Sequence, residues 1–294
     1  MQSPRIQPPA VAGRFYDQDP ARLSQAVQGF IAAGQRQARQ RQADQTQAGQ
    51  GADQPQAGKL RQAGAAAAPR PQALIAPHAG YVFSGPVAGS AYAALADHAA
   101  EIEQVVLLGP PHRLPVRGLA TSSASAFETP LGQVPVDQAA LDRLIAMHPQ
   151  IQRLDAAFAG EHCIEVQLPF LQVLLERFRL LPFLVGTVDA AQVAEILAPF
   201  WEAEDSLIVV SSDLSHYLDY ATAQALDART SEAIRALHPE RIAPEQACGQ
   251  SAIAGLLTLA RARQAQGRIL DLRNSGDTAG PRDHVVGYGA YVFS

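Results

Sequence analysis

The feature that most constrains this chain is a series of short, continuously apolar runs separated by helix-like segments. A run of roughly four to eight apolar residues bounded by turn-forming residues is typical of a strand buried on both faces. Strands of this kind that alternate with helices form α/β folds. The sequence therefore predicts an α/β fold with a central, mostly parallel or mixed sheet and helices on both faces. The runs are Ala73–Pro77, Val105–Gly109, Leu180–Val185 and Leu207–Val210.

The segments between these runs place apolar residues at helical spacing and begin with residues that favour helix N-termini. Asp19, Asp137 and Asp189 are candidate N-caps, because a carboxylate accepts hydrogen bonds from the free N–H groups of the first turn. Pro169 is expected to kink or split a helix over residues 164–178. Further helices are predicted at Gly85–Ala99, Tyr220–Leu237 and Pro244–Arg263, and closing strands at Ile269–Leu272 and Val285–Phe293.

The tract from Gly34 to Gln72 differs in composition from the rest of the chain. It consists mainly of Gln, Ala and Arg, and its one large apolar residue is Leu60. Such a segment buries too little apolar surface to offset the entropy lost on ordering. We therefore expect a single domain over residues 1–294 with a disordered insertion at about 34–72. A solvent-projecting helix in part of the tract and a basic interaction tail are the alternatives.

Charge and composition exclude several classes of function. The net charge is −5 over 294 residues, so no global basic field exists to hold nucleic acid or an anionic membrane. No apolar run reaches the roughly 18 residues that span a bilayer, and the N-terminus lacks the apolar core of a secretory signal. The two cysteines, Cys163 and Cys248, are too few for a disulfide framework. We expect a cytoplasmic protein that binds neither nucleic acid nor membrane.

Polar residues follow three of the predicted strands directly. His78 follows the first strand, His112 the second, and Asp213 and His216 the fourth. Ligand sites in open α/β sheets form beyond the carboxyl ends of parallel strands. Neutral imidazole is the commonest protein metal ligand, so His78 and His112 are candidate ligands. His216 is a candidate general base that Asp213 would orient.

Each of these residues also has a plain structural explanation. A loop histidine is usually only hydrogen-bonded, and Asp213 is also a candidate cap for the helix that follows it. The segment Glu161–Glu165 carries two acidic residues and His162, either as helix-start residues favoured by the dipole or as a wall of the site. Cys248 lies near the predicted helix start at Pro244, where the dipole would lower the pKa of the thiol; the alternative is a small buried residue.

Six motifs together resemble the Memo family, whose bacterial and archaeal members are called AmmeMemoRadiSam system protein B. The resemblance extends over nearly the whole chain in one order, and the tract at Gly34–Gln72 is the clear departure. The motifs are Ala12–Tyr16, Ile75–Tyr81, Gly109–His112, Glu161–Phe170, Ser211–His216 and Cys248–Gly249.

The resemblance implies a fold similar to the LigB-type, class III extradiol dioxygenases, which cleave catechol rings with non-haem Fe(II). By the Memo pattern, His78, His112 and Cys248 hold the metal. By the dioxygenase pattern, His216 is the base beside the metal, with Asp213 next to it. Those dioxygenases use two histidines and a glutamate, and a cysteine in the third position also suits copper. Iron is therefore the expected metal with copper as the alternative, and Glu161 or Glu165 remains an alternative anionic ligand.

Three functions are consistent with these residues. The first is a metal-dependent oxidoreductase of the dioxygenase type acting on a small chelating aromatic substrate. The second is iron or copper redox handling without an organic substrate. The third is a non-catalytic module that binds a peptide or protein partner. The family resemblance also implies a radical SAM protein and an AMMECR-type protein as partners.

Overall fold

The structure is a computed structural model that describes residues 5–50 and 69–294. Short 3-10 helices, at Ala96–Glu101, Glu165–Gln167, Pro239–Arg241, Pro244–Gln246 and Ser275–Asp277, supplement the α-helices and strands. The α-helices are α1 (Pro20–Gln50), α2 (Tyr81–Ala93), α3 (Gln138–Met147), α4 (Asp155–Phe158), α5 (Leu168–Leu174), α6 (Ala190–Glu202), α7 (Tyr220–Arg235) and α8 (Gln250–Ala262). The strands are β1 (Ile6–Gln7), β2 (Ala73–Ala76), β3 (Gln104–Gly109), β4 (Leu119–Thr121), β5 (Ala126–Thr129), β6 (Gly132–Pro135), β7 (Ile151–Arg153), β8 (Arg179–Val185), β9 (Ser206–Ser211), β10 (His216–Leu218), β11 (Gly267–Asn274) and β12 (Val285–Phe293).

The core of the fold is a mixed sheet whose strand order is β10-β12-β2-β9-β3-β8-β4-β7, with β11 paired to the other edge of β12. The central strands β2, β9, β3 and β8 run parallel to one another. The closing strand β12 is antiparallel to β2, and β4 is antiparallel to β8. The predicted α/β fold with a mostly parallel or mixed sheet is confirmed.

The central strands are buried along almost their whole length. Every residue of β2 and β9 is buried, and so is every residue of β3 except Gln104. Because successive side chains of a strand point to opposite faces, both faces of the sheet are covered. Helices α1, α2 and α5 pack together, α6 packs against α8, and α7 packs against β11 and β12. This burial is why these strands read as continuous apolar runs.

Close packing of α1 on α2 depends on glycine. A Cβ added to Gly34 would lie 2.7 Å from the carbonyl oxygen of Gly89 and 2.8 Å from Cα of Ser90. Neither backbone atom can move aside without shifting α2. The small residues at this contact therefore allow α1 to approach α2 closely, and α2 in turn covers β2 and β12.

Several local expectations are confirmed, and others require correction. Asp19, Asp137 and Asp189 each accept a hydrogen bond from a first-turn N–H group, as predicted for N-caps. Helix α2 begins at Tyr81, four residues before the predicted start at Gly85. Pro169 lies in the first turn of α5, and the 3-10 turn at Glu165–Gln167 directly precedes that helix, so the predicted helix is split. The predicted helix at Pro244 is only a 3-10 turn, and α8 begins at Gln250. The short strands β1, β4, β5, β6, β7 and β10 had no clear pattern in the sequence.

The first part of the polar tract is helical, as in the alternative of a helix over part of it, and the prediction of a disordered insertion at about 34–72 stays a prediction. Helix α1 continues from Pro20 through Gly34 to Gln50, since Gln and Ala favour helix. Residues 51–68 lie outside the described part of the chain, and the prediction of one domain over 1–294 stays a prediction. Within the two described ranges, no helix combines the length and apolar character that a membrane crossing requires.

Candidate metal centre

Three neighbouring parallel strands end on the same side of the sheet, and a candidate site residue follows each of them. His78 follows β2, His112 follows β3 and Asp213 follows β9, which lies between the other two strands. The carboxyl ends of parallel strands meet at one edge. The ring centroids of His78 and His112 are 5.2 Å apart. The structure thus brings together the two histidines that the sequence suggested as metal ligands.

A third histidine completes the cluster. The ring of His162 is stacked on that of His112 at 4.9 Å and lies 5.4 Å from that of His78. One ring nitrogen from each of the three histidines lies within 4.8 Å of the other two. The sequence predicts His162 only as part of a wall of the site, because its segment follows no predicted strand. Its position beside Glu161 is the one feature of the sequence that marks this histidine as a site residue.

Ser211 determines which nitrogen of His78 is free. Nδ1 of His78 is 2.8 Å from Oγ of Ser211, and that hydroxyl donates to the carbonyl of Cys163 at 2.6 Å. A hydroxyl has one hydrogen and a carbonyl can only accept. Nδ1 of His78 must therefore donate to Ser211, which leaves Nε2 with its lone pair. Histidines that bind metals usually have their second nitrogen tied in this way.

A buried side-chain network supports Ser211 in turn. Nε2 of Gln167 donates to Oγ of Ser211 at 2.9 Å and to the carbonyl of Pro77 at 3.0 Å. The hydroxyl of Tyr92 donates to Oε1 of Gln167 at 2.9 Å. These partners fix the orientation of the Gln167 amide, so its NH2 group donates to Ser211. The hydroxyl of Ser211 accepts that bond and donates its own hydrogen to the Cys163 carbonyl.

We expect Ser211→Ala to weaken metal binding by roughly 10- to 100-fold, the usual effect of removing a partner that orients a ligand. The substitution leaves the N–H of His78 at Nδ1 without its acceptor, so the ring is free to turn or change tautomer. Ser231→Ala is the matched control, since Ser231 is also buried but bonds to Tyr291. Competition with a metal-binding indicator measures both; equal affinity in Ser211→Ala and the wild type would contradict the assignment.

Glu161 orients the second histidine. Its Oε1 is 2.9 Å from Nδ1 of His112, and its Oε2 accepts the backbone N–H of His112 at 2.7 Å. Oε1 also accepts the backbone N–H groups of His162 and Cys163. Burial by itself would raise the pKa of Glu161, but the bonds from the rings of His112 and His162 outweigh it and hold the pKa well below its ordinary value. An ionised carboxylate only accepts, so His112 also presents Nε2.

The two carboxylates suggested as alternative ligands are already engaged. Glu161, His112 and Cys163 form a second group of atoms that can hold a metal, yet Glu161 is occupied by the N–H donors just described. The carboxylate of Glu165 accepts the backbone N–H groups of Ala10 at 2.6 Å and Val11 at 3.0 Å, and also the hydroxyl of Tyr16. Glu165 therefore anchors the N-terminal segment, and it belongs to no metal-capable group among the described residues.

Cys248 lies against the buried histidine. Its Sγ is 3.4 Å from Nε2 of His78, the nitrogen that carries the free lone pair, and it accepts the backbone N–H of Asp213 at 3.3 Å. The thiol precedes α8 instead of lying in its first turn. Burial and the negative charge of Asp213 raise the pKa of Cys248 to about 12. The expected lowering of its pKa is wrong for the metal-free protein, so binding a metal as thiolate would release a proton.

His78 is in the neutral form that a metal requires. Burial, followed by the nearby rings of His162 and His112, lowers the pKa of His78 well below its ordinary value. A neutral imidazole has a lone pair to offer at Nε2. Three imidazoles, those of His78, His112 and His162, can therefore hold a metal ion, whereas Cys248 contacts His78 but belongs to no metal-capable group among the described residues. Nitrogen donors, with or without a thiolate, suit iron, copper or zinc.

Asp213 and His216 lie together without forming the hydrogen-bonded pair that was predicted. Oδ1 of Asp213 accepts the backbone N–H of His78 at 2.8 Å, and no hydrogen bond joins it to the His216 ring in the described part of the chain. Burial raises the pKa of Asp213, while the positive charge of a protonated His216 acts in the opposite direction. Asp213 thus positions the loop of His78 and interacts with His216 only electrostatically.

Asp227 braces the loop between Asp213 and His216, and we expect it to make stability pH-dependent. Its carboxylate accepts the N–H and the hydroxyl of Ser215, both at 3.0 Å. Burial raises its pKa from 3.8 to about 6. The protonated form is favoured on folding, so its contribution is lost as pH rises from about 4 to about 6. The loss is at most roughly 3 kcal/mol.

Asp227→Asn isolates this contribution from those of other carboxylates. Urea unfolding of both proteins between pH 4 and pH 7 gives the difference in unfolding free energy. The wild type should lose stability relative to Asp227→Asn as the pH rises from about 4 through about 6, and the difference should become constant near pH 7. A difference that does not change with pH would contradict the raised pKa.

The fold and this cluster define an α/β protein with a metal-capable histidine site at the carboxyl ends of parallel strands. The model of the Memo-like protein family matches residues 7–292. The chain belongs to the Memo family. A MEMO1 family protein of Methanopyrus kandleri is 34% identical over 97% of this chain and 98% of its own length, and one of Aquifex aeolicus is 34% identical over 76% and 86%.

A solved structure shares the fold. An uncharacterized protein of Escherichia coli K12 superposes with a TM-score of 0.51 and 14% identity, and the match covers 76% of this chain and 99% of that chain. At this identity the likeness concerns the fold alone. The family membership expected from the six sequence motifs is confirmed by the family model and the two relatives.

Proposed function

We propose that this protein is a metal-dependent oxidoreductase with a mononuclear site similar to that of class III extradiol dioxygenases. Fe(II) is the metal proposed, with copper as the alternative, and the ligands are His78, His112 and Cys248. The observation that carries the proposal is the pair of histidines whose Nδ1 atoms are tied to Ser211 and Glu161, with a thiol 3.4 Å from Nε2 of one of them.

Bound iron would supply Lewis acidity and redox chemistry toward oxygen. The protein's own residues would orient the substrate and move a proton. His216 is half-buried, and within the described ranges its ring makes no hydrogen bond to another side chain, so it is available to a ligand hydroxyl. Its imidazole takes that proton as general base, and the nearby carboxylate of Asp213 stabilises the imidazolium whenever Asp213 is ionised. The substrate proposed is a small chelating aromatic molecule.

The test is anaerobic purification and Fe(II) loading, followed by metal analysis and oxygen-uptake assays with a series of catechols. We expect about one iron per chain and catechol-dependent oxygen uptake. His216→Gln should keep the metal and lose roughly 100-fold or more in rate, because general-base catalysis is typically worth 10²–10⁴-fold. His238→Gln is the control, since the ring of His238 bonds to Glu240 at the surface.

The outcomes separate the functions. Wild-type protein that takes up no metal after reconstitution would exclude the oxidoreductase. Wild-type protein that holds iron or copper but neither binds nor oxidises a chelating aromatic compound would favour metal redox handling without an organic substrate.

A further inference from the structure

Tyr217 is an exposed aromatic residue next to His216, the proposed general base. It is 73% exposed, whereas Tyr288 and Tyr291 of the neighbouring strand β12 are buried. The exposed side chain of Tyr217 does not contribute to the hydrophobic core, so core packing does not explain an aromatic residue at this position.

The backbone of Tyr217 is strained. Its φ is 58°, one of three positive values at non-glycine positions in the described ranges, and this conformation costs a bulky side chain energy. The strand pairing of the two neighbouring residues imposes this positive φ. His216 pairs with Val286 and Leu218 with Val285, and the register shifts by one between the two pairs. Tyr217 is thus the extra residue of a β-bulge, a feature that redirects a side chain and is common beside active sites.

The bulge is braced from outside, and it places the ring next to the proposed base. The carbonyl of Tyr217 is 3.3 Å from Nδ1 of His284. The ring of Tyr217 is 5.8 Å from that of His216 at an interplanar angle of 63°. Going from His78 through His216 to Tyr217, the side chains pass from buried to half-buried to exposed. The Tyr217 ring thus lies on the solvent side of His216, where we expect a ligand to enter.

We propose that Tyr217 contacts the ligand of the metal centre and determines its preference for aromatic rings. The Tyr217 ring provides one face for an aromatic ring on a molecule whose polar atoms reach the metal. Stacking of this kind together with the surface it buries corresponds to roughly a tenfold gain in affinity. This inference rests on the proposed function, since it requires the metal to hold the polar end of the ligand.

Two chelating probes separate a contact with an aromatic ring from a structural role. One is 4-nitrocatechol, which carries a ring, and the other is oxalate, which carries none. We expect Tyr217→Ala in the iron-loaded protein to weaken 4-nitrocatechol binding by about tenfold and to leave oxalate binding unchanged. Tyr217→Phe should bind both probes like the wild type. Met147→Ala is the matched control, because Met147 is 63% exposed at the end of α3.

Tyr217→Gly gives a second readout. Glycine adopts positive φ without strain, so this variant should unfold at a higher temperature than Tyr217→Ala. It should nevertheless bind 4-nitrocatechol as weakly as Tyr217→Ala does. Equal losses for both probes, or no loss for either, would overturn the assignment of Tyr217 alone. Wild-type protein without metal would overturn the proposed function and this inference together, and metal analysis before the ligand is added distinguishes the two failures.

Discussion

His78→Ala is expected to abolish stable metal binding. His78 is the most buried of the three clustered histidines, and its Nε2 is the nitrogen that lies against Cys248. Loss of a partner that only orients a ligand already costs about 10- to 100-fold in affinity, so loss of the ligand itself should exceed about 100-fold. Metal content after anaerobic loading and buffer exchange measures the effect. Metal content equal to that of the wild type would exclude His78 as a ligand.

The same measurement decides the identity of the third protein ligand. If Cys248 binds the metal, Cys248→Ser loses most of the metal and His162→Ala keeps it. If His162 is the ligand, His162→Ala loses most of the metal and Cys248→Ser keeps it. His238→Ala serves as the control for general effects of removing a histidine. Retention of the metal in both variants would contradict the three-ligand site proposed here.

Gly287→Ala is expected to destabilise the fold by about 3 kcal/mol, from overpacking and from displacement of a buried hydrogen-bonded carboxylate. A Cβ at this position would lie 2.0 Å from Oδ2 of Asp227, the carboxylate oxygen that holds the Ser215 hydroxyl. Gly287 also pairs with the same loop, since its N–H donates to the carbonyl of Ser215 and its carbonyl accepts from Leu214. Urea unfolding measures the change in free energy.

Gly29→Ala is the control for this substitution. Gly29 lies in α1 with nothing within 4 Å of an added Cβ, so alanine should stabilise that helix by up to about 1 kcal/mol. The Gly287→Ala variant should in addition bind metal more weakly. The substitution would displace the loop between Asp213 and His216, and Asp213 accepts the backbone N–H of His78. Stability equal to that of the wild type would show that Asp227 moves aside without loss.

Much of the fold was predictable because its central strands are covered on both faces. Continuous apolar runs located β2, β3, β8 and β9 to within one or two residues, and carboxylate caps located the starts of α1, α3 and α6. The short strands carry no such pattern, since segments of two to four residues do not establish a period. The extension of α1 through the Gln- and Ala-rich tract follows from local helix propensity, which the low apolar content of the tract obscured.

By itself the sequence determined that polar residues follow strand ends, and hence that His78, His112, Asp213 and His216 belong to one edge of a sheet. Only the tertiary structure decided that β9 lies between β2 and β3, that a loop far along the chain inserts His162 among these residues, and that Ser211 and Glu161 leave Nε2 free on two histidines. The physical reason is the range of the interactions. Burial and capping act on neighbours in sequence, whereas protonation, tautomer and metal geometry depend on groups that only folding brings within hydrogen-bonding distance.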